Sequence, residues 1–600
     1  MSFFFEQILS WTIRHGVLLS FGLVWITITT AAALWVASLI GQVAIPGRER
    51  ATRAPIGLLA LWRWDGAPRI IGALTLLNLF LASYIAMVLV WEDFAYYDDS
   101  MFTLLTLKGH NYAPAIWPEV GRFLPFGLQE FNLIRHFSNT AIGYHVIAIV
   151  QLLVFCSILL ILDDELNITS RTILVVVALV TPSILISFNG LNYDERDALF
   201  FLACFVLSVE RFERTHSAAW VIAAVISAQI MMYCKETVFL VVFGFAASRL
   251  MLRYRNERLA GTGYKLWARD SRLDMCLASL TVVFLIVYFG FVGNANMKYA
   301  ALYGLPRTDA VLAYTMVDLL PWLLAAVLLG RIYMILRRRV APWLLWDALA
   351  AGGVVCFLAY IYLGMFRVYY PALVDLIAVL YVGHFAVLSW NKMPSWGKIA
   401  AIPLALVISL QGILVSTFAI FERKNVIQGK VKIASVVETQ HRRHSGKQLR
   451  LFFPFADGYA IMEFAAYLDS RGIAVEGADD TAPGLNDVVL AEARRARAAN
   501  SPGGPAEDGP CVEWNSIWCQ VVNEPAPGDL VVVLPDDGAS LAEAAPYTNE
   551  GILLLYSKPR LPIPEWLQSL FDRLPVGRQN TYRNVALSDR WMHGSVTLWK

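Results

Sequence analysis

The chain has 600 residues, 57% of them hydrophobic and only 16% charged, with a formal net charge of +2 and a mean hydropathy of +0.54. Soluble domains carry about 25% charged residues, so this composition excludes an ordinary soluble protein. A balance this close to neutral gives no reason to expect a nucleic-acid partner.

A membrane-spanning helix needs about 20 apolar residues. On that rule the chain reads as an α-helical polytopic membrane protein with about twelve spans. They lie near 16–40, 70–91, 142–162, 172–188, 197–210, 218–233, 237–252, 274–292, 316–336, 344–363, 370–390 and 397–420. The run at 16–40 is too long for the apolar part of a cleavable signal and lacks a cleavage site. The segments across 197–252 are short, which suits tilted, re-entrant or internally packed helices. Basic residues follow alternate spans: Arg48, Arg50, Arg53, Arg63 and Arg69; then Arg249, Arg253, Arg255, Arg258, Lys265, Arg269 and Arg272; then Arg337, Arg338 and Arg339; then Lys392 and Lys398. The positive-inside rule makes that side cytoplasmic. Only the loop with Asp163, Asp164 and Glu165 against Arg171 disagrees, and acidic residues weigh little in that rule. The loop 92–141 and everything after 420 then face outward.

The outer loop holds adjacent carboxylates, Asp98 and Asp99, among Trp91, Phe94, Tyr96, Tyr97, Phe102, Tyr112 and Trp117, with Arg122 further on in Gly-Arg-Phe-Leu-Pro. Paired acids beside an aromatic belt read as a site; a solvated interfacial loop is the plainer alternative. Three more clusters fall on the same face: Asp194, Glu195 and Asp197; Lys235 and Glu236 at a hairpin tip; and Arg367, Tyr369 and Tyr370 entering a late span. Their plainer readings are a solvated loop, a local ion pair and an interfacial anchor. Together they offer carboxylates that can take a proton or hold a divalent cation. They also offer cations that can clamp a phosphate and rings that can stack on sugars. The basic tract His441 to His444 reads as a solvated linker, and His110, His136 and His145 as polar loop or interface residues.

The C-terminal part, 421–600, turns polar. Strands are expected at 449–455, 473–477, 529–535 and 551–557, with a helix over 458–472 and a mobile insertion at 478–510. That alternation predicts a small extracytoplasmic α/β domain after a membrane domain spanning 1–420. Cys156, Cys204, Cys234, Cys276 and Cys356 fall in or at the ends of apolar segments, where free thiols pack as small hydrophobes. Cys511 and Cys519 lie close together in the polar part; a disulfide between them requires an oxidising compartment, which agrees with an outward placement.

Over about 70–420, the Asp98–Asp99 pair, the Glu195-x-Asp197 motif, Lys235–Glu236 and the Arg367 to Pro371 run resemble the GT-C superfamily of integral-membrane glycosyltransferases. The Gly121-Arg122-Phe123 run is most similar to bacterial members related to O-antigen glucosyltransferases and lipid A aminoarabinose transferases. The acidic loop of that family follows the first span, whereas here it follows the second. The resemblance implies a GT-C-like bundle in a bacterial inner membrane, with its site on the periplasmic side. It implies inverting transfer of a sugar from a polyprenyl-phosphate or polyprenyl-diphosphate donor to a saccharide, lipid or protein acceptor. Asp98 or Asp99 is then the general base, with Arg122, Lys235 and Arg367 on the lipid phosphate and Glu236, Tyr369 and Tyr370 beside the substrate. Where such enzymes use magnesium or manganese, Glu195 and Asp197 with one of the Asp pair are the implied ligands. A transporter or flippase of lipid-linked saccharides is the alternative. It calls for polar groups deep in the spans and broken helices, and the sequence instead gathers its ionisable groups at one face. A polymerase or ligase would want a longer late outer loop than 364–370, and a receptor would hardly need twelve spans.

Overall fold

The computed structural model describes residues 67–91, 93–94, 115–117, 121–163, 165–260, 271–292, 304–390, 393–443, 449–454, 458–473, 488–493, 512–514, 517–522, 525–534, 552–557 and 593–598. The expected first span at 16–40, the pair Asp98–Asp99, and Cys511 lie outside them. The chain divides into two compact units, one of 1–88, 111–138 and 143–416, the other of 89–110, 139–142 and 417–600.

The helices in chain order are α1 (Ala67–Trp91), α2 (Phe131–Ile134), α3 (Ala141–Ile161), α4 (Ile168–Val180), α5 (Pro182–Asn189), α6 (Asp194–Thr215), α7 (Ala218–Cys234) and α8 (Val238–Ala260). They continue with α9 (Arg272–Val292), α10 (Arg307–Val317), α11 (Leu320–Leu336), α12 (Leu344–Leu363), α13 (Ala372–Ser389), α14 (Ser395–Arg443) and α15 (Gly458–Ser470). The strands are β1 (Ala115–Trp117), β2 (Arg122–Leu124), β3 (Leu449–Phe453), β4 (Val488–Ala493), β5 (Val512–Trp514), β6 (Ile517–Val522), β7 (Leu530–Val533), β8 (Ile552–Ser557) and β9 (His593–Leu598).

Among the described residues, α3, α9, α12 and α13 are each long and apolar enough to cross a membrane. Two bent pairs could bring the number to six, which is fewer than the twelve spans expected. Two physical reasons account for the difference. Charged turns at both ends of α6, Asp194 to Asp197 and Glu210 to Arg214, leave only Ala198 to Val209 apolar between them. Proline breaks two of the other segments: Pro182 forces Thr181 into an extended conformation, so α4 and α5 meet at 70°. Pro321 lies in the first turn of α11 just after the extended Asp318, and α10 and α11 meet at 94°.

The first unit is a helical bundle. α6 and α7 form an antiparallel hairpin, and α13 packs against α4, α5, α6, α11 and α12, with Ala372 through Tyr381 buried. α8 and α12 cross at Gly244 and Gly352, where a Cβ on Gly352 would stand 2.4 Å from the Val241 carbonyl oxygen. Only two glycines allow that approach. The outer faces of α1, α8, α9 and α11 expose Leu79, Phe243, Ile286 and Leu329, as a hydrocarbon solvent would permit.

The second unit holds a seven-stranded sheet in the order β5-β6-β4-β3-β7-β9-β8. The neighbours β6, β4, β3 and β7 are parallel, and β5, β9 and β8 join antiparallel. Leu451, Phe452, Phe453 and all of β7 are buried, as strands covered on both faces require. β4 falls inside the stretch expected to be a mobile insertion; its Val488-Val489-Leu490 run pairs parallel with Leu449 to Leu451. Of the strand expected at 473–477, only Ile473 is described, and it follows the turn after α15 rather than entering a strand.

Candidate active site

Two hairpins build the site. The β1–β2 hairpin pairs Trp117 with Arg122 and Ile116 with Phe123, and Gly121 enters β2 with φ near +81°, a conformation that suits glycine. Phe123 packs against Tyr233, Phe284, Tyr288 and Phe291. The Tyr288 hydroxyl donates to the Gly121 carbonyl at 3.2 Å, and the Phe126 N–H donates to the Tyr233 carbonyl at 3.1 Å. Arg122 is thereby held, 8% exposed, against the tip of the α7–α8 hairpin.

The second hairpin is α6–α7. Its acids lie in the first turn of α6, where the helix dipole favours negative charge, and Lys235 closes α7, where it favours positive charge. Antiparallel packing sets these ends side by side, and Lys235 Nζ reaches Glu195 Oε1 at 2.7 Å. Both side chains are nearly inaccessible. Lys235 also lies 4.8 Å from the centre of the Tyr370 ring, which stacks with Tyr360 at 5.9 Å; the Tyr360 hydroxyl is 2.8 Å from that of Thr237. Glu236 turns the other way and meets Arg122 Nε at 3.1 Å, while Asp194 stands 4.0 Å from the same guanidinium. Lys235 and Glu236, expected as a local pair, therefore bind separate partners.

These groups line a cavity of about 220 Å³. Arg122, Lys235, Glu236, Thr237, Tyr288, Tyr360 and Tyr370 form its polar side, and Phe239, Leu240, Phe284, Leu285, Phe289, Leu363 and Met365 its apolar side. Arg367 is exposed and does not line it. Tyr369 is also outside the lining; it stacks on Tyr193 at 4.5 Å and edges Tyr370 at 5.0 Å.

A second polar layer backs the first. Arg196, fully buried, is ion-paired to Glu130, and its Nε lies 3.8 Å from Asp197. Asp197 accepts from Gln151 at 2.9 Å and from the Leu128 N–H at 3.4 Å. Burial, reinforced by the Asp197 carboxylate, pushes the Glu130 carboxyl up to about 8 against the pull of Arg196. Burial likewise raises Asp194 to about 7, against the opposing charge of Lys235. Burial works against the charge on Lys235, but Glu195 outweighs it and holds the ammonium above the usual lysine value.

Glu195 and Asp197 thus serve different partners and do not converge as a ligand pair. Among the described residues no group of three or more His, Cys, Asp or Glu side chains is placed to hold a metal ion. The expected third ligand, Asp98 or Asp99, lies outside the described residues.

The ionisable groups are not confined to one face, as the sequence suggested. At the far ends of the same helices, Arg249 binds Glu213 and Asp274, each at 2.7 Å, and Arg331 pairs with Asp347 at 2.7 Å. The participation of Tyr288, Gln151, Arg196 and Glu130 was also missed. Gln151 and Tyr288 had one available signal, a single polar group within an otherwise apolar run.

Neither a family model nor a curated protein sequence matches the chain. A structural similarity is found to the crystal structure of the Archaeoglobus fulgidus oligosaccharyltransferase, tethered by a disulfide bond to an acceptor peptide containing the NVT sequon. The identity is 10% and the TM-score 0.37, over 66% of this chain and 63% of that one.

Proposed function

We propose that the protein is an integral-membrane glycosyltransferase that moves a sugar from a polyprenyl-phosphate or polyprenyl-diphosphate donor to an acceptor outside the cytoplasm. The observation that carries this reading is the two-sided cavity, with Arg122 and Lys235 on one wall and Phe239, Leu240, Phe284, Leu285 and Phe289 on the other. A phosphate joined to an isoprenoid chain has the same division of polarity. A guanidinium has five N–H donors and an ammonium three, so each cation can keep its carboxylate and still take a phosphate oxygen.

In this reading the transfer inverts the anomeric centre. Asp98 or Asp99 takes the proton from the acceptor hydroxyl or amine as it attacks the anomeric carbon. The bond to the lipid phosphate breaks on the opposite face, and the phosphate leaves with the bonding pair. Arg122 and Lys235 stabilise that charge, with exposed Arg367 available to the headgroup at the entrance. Tyr370 and Tyr360 present ring faces to the sugar. A bacterial inner membrane, with the site and the second unit on the periplasmic side, completes the proposal; the second unit then guides the acceptor, whether saccharide, lipid or protein.

Binding of polyprenyl phosphate to the purified protein in nanodiscs tests the cavity. Arg122→Gln and Lys235→Met should each weaken it at least tenfold, about 1.4 kcal/mol. Unchanged affinity in both folded variants would remove the cavity from the account.

A second reading, a transporter of lipid-linked saccharides, is favoured by one observation: two broken helices meet at a buried acid pair, an arrangement that transport proteins use. In vesicles, a transporter would deliver the donor across the bilayer with its glycosyl bond intact, and the transferase would cleave that bond.

A further inference from the structure

The α4–α5 and α10–α11 breaks converge on α13. Asp318 lies at the second break, and its carboxylate accepts the Leu320 N–H at 3.0 Å, capping α11. Asp375 lies in the first turn of α13 and is fully buried. Its Oδ2 accepts from the hydroxyl of Ser183, in the first turn of α5. Its Oδ1 receives no N–H or O–H donor among the described residues. The two carboxyls nevertheless hydrogen-bond each other. Two carboxylate oxygens repel, and such a bond exists only when one of them carries a proton.

The surroundings close the pair in. Gln411 of α14 donates to the Met316 carbonyl at 2.6 Å and accepts the Leu319 N–H at 3.2 Å, sealing the second break. Ser416 donates to the Val180 carbonyl at 2.8 Å, sealing the first. The ionisable groups nearby are Tyr314, Tyr370 and Cys356, all uncharged at neutral pH by ordinary chemistry. Tyr360 of α12 stacks behind Tyr370. The charged residues of α4 and α11, Arg171 and Arg331, lie toward the other ends of those helices. Those at the start of α6 are committed to Arg122, Lys235, Gln151 and Glu130. No cation among the described residues is paired with Asp318 or Asp375.

We infer that Asp318 and Asp375 form a binding site for a single proton, whose occupancy locks the two helix breaks together directly behind the cavity. Asp375 lies one turn from the cavity wall: its N–H donates to the Pro371 carbonyl at 2.8 Å, next to Tyr370. Tyr314, between the pair and the cavity, donates to the Met365 carbonyl at 2.8 Å. Loss of the proton would place two negative charges in contact without solvent, and the lock would open toward the Arg367–Tyr370 turn.

The test needs no enzymatic activity. Unfolding of the wild type and of Asp375→Asn is followed in detergent between about pH 5 and pH 9. Asn keeps the shape and a donor but has no proton to lose. Glu130 and Asp194 contribute their own pH dependence to both proteins, so the ratio of the two unfolding constants is what is read. The proposal predicts that this ratio, wild type over variant, climbs with pH, by up to about tenfold per pH unit, since the native wild type holds one proton more than the unfolded chain. A constant ratio overturns it. So does wild-type stability that depends on sodium against potassium at fixed ionic strength, lost in Asp375→Asn, which would make the ligand a metal cation. If Asp375→Asn does not fold, Asp318→Asn serves in its place. If neither folds, infrared spectroscopy of wild type carrying carboxyl-labelled aspartate decides. A protonated aspartate band that persists at about pH 8 and exchanges slowly in D₂O supports the site, and its absence overturns it.

Discussion

Lys235 and Glu195 carry more of the site's integrity than any other pair. Both are withdrawn from solvent, and removing one partner leaves an uncompensated buried charge, a loss of about 3–5 kcal/mol. Lys235→Ala should therefore lower the melting temperature sharply, and adding Glu195→Gln should recover part of the loss; equal melting in the single and double variants would show that the pair is not coupled. Glu130 gives a pH signature. Its folded value, about 8, lies above the unfolded value, so the native state holds the extra proton. The contribution is present at pH below the unfolded value near 4.5 and is lost as pH rises through about 8. Glu130→Gln should flatten the decline in melting temperature across that window, and an unaltered slope would contradict the assignment.

Among the elements, the α8–α12 crossing is set by two glycines. Gly352→Ala places a methyl 2.4 Å from the Val241 carbonyl oxygen, so the helices must separate, at a cost of about 1–3 kcal/mol. Gly330, which has open space around its Cβ position, is the control, since alanine there should be tolerated. A melting temperature unchanged by Gly352→Ala would show that the crossing is looser than described. Helix existence was legible in the apolar runs, and strand β7 in Leu530 to Val533, because solvent exclusion writes itself into composition. The breaks were signalled by Thr181-Pro182 and Leu320-Pro321, yet a continuous apolar run conceals a 70° or 94° bend. β5 and β6 went unread because short strands at a sheet edge carry little periodicity.

Across the whole molecule, long-range packing brought together what the sequence scattered: Arg122 from a strand, Lys235 and Glu236 from a hairpin tip, Tyr370 from a helix entrance. The motifs marked each as unusual, but not the partner exchange that sends Lys235 to Glu195 and Glu236 to Arg122. Arg367 shows the limit from the other direction, since an Arg-x-Tyr-Tyr-Pro run cannot reveal that its first residue turns outward.

The central claim is glycosyl transfer with a carboxylate base, and one measurement reaches it most directly. Purified wild type, Asp98→Asn and Asp99→Asn are reconstituted in lipid with a radiolabelled polyprenyl-phosphate sugar pool, and release of sugar to acceptor or water is followed. The account predicts that wild type breaks the glycosyl bond and that one Asn variant loses turnover by about 10²-fold or more while still folding and binding donor. Wild type that carries the donor across the bilayer with its glycosyl bond intact, or two Asn variants indistinguishable from wild type, would contradict it.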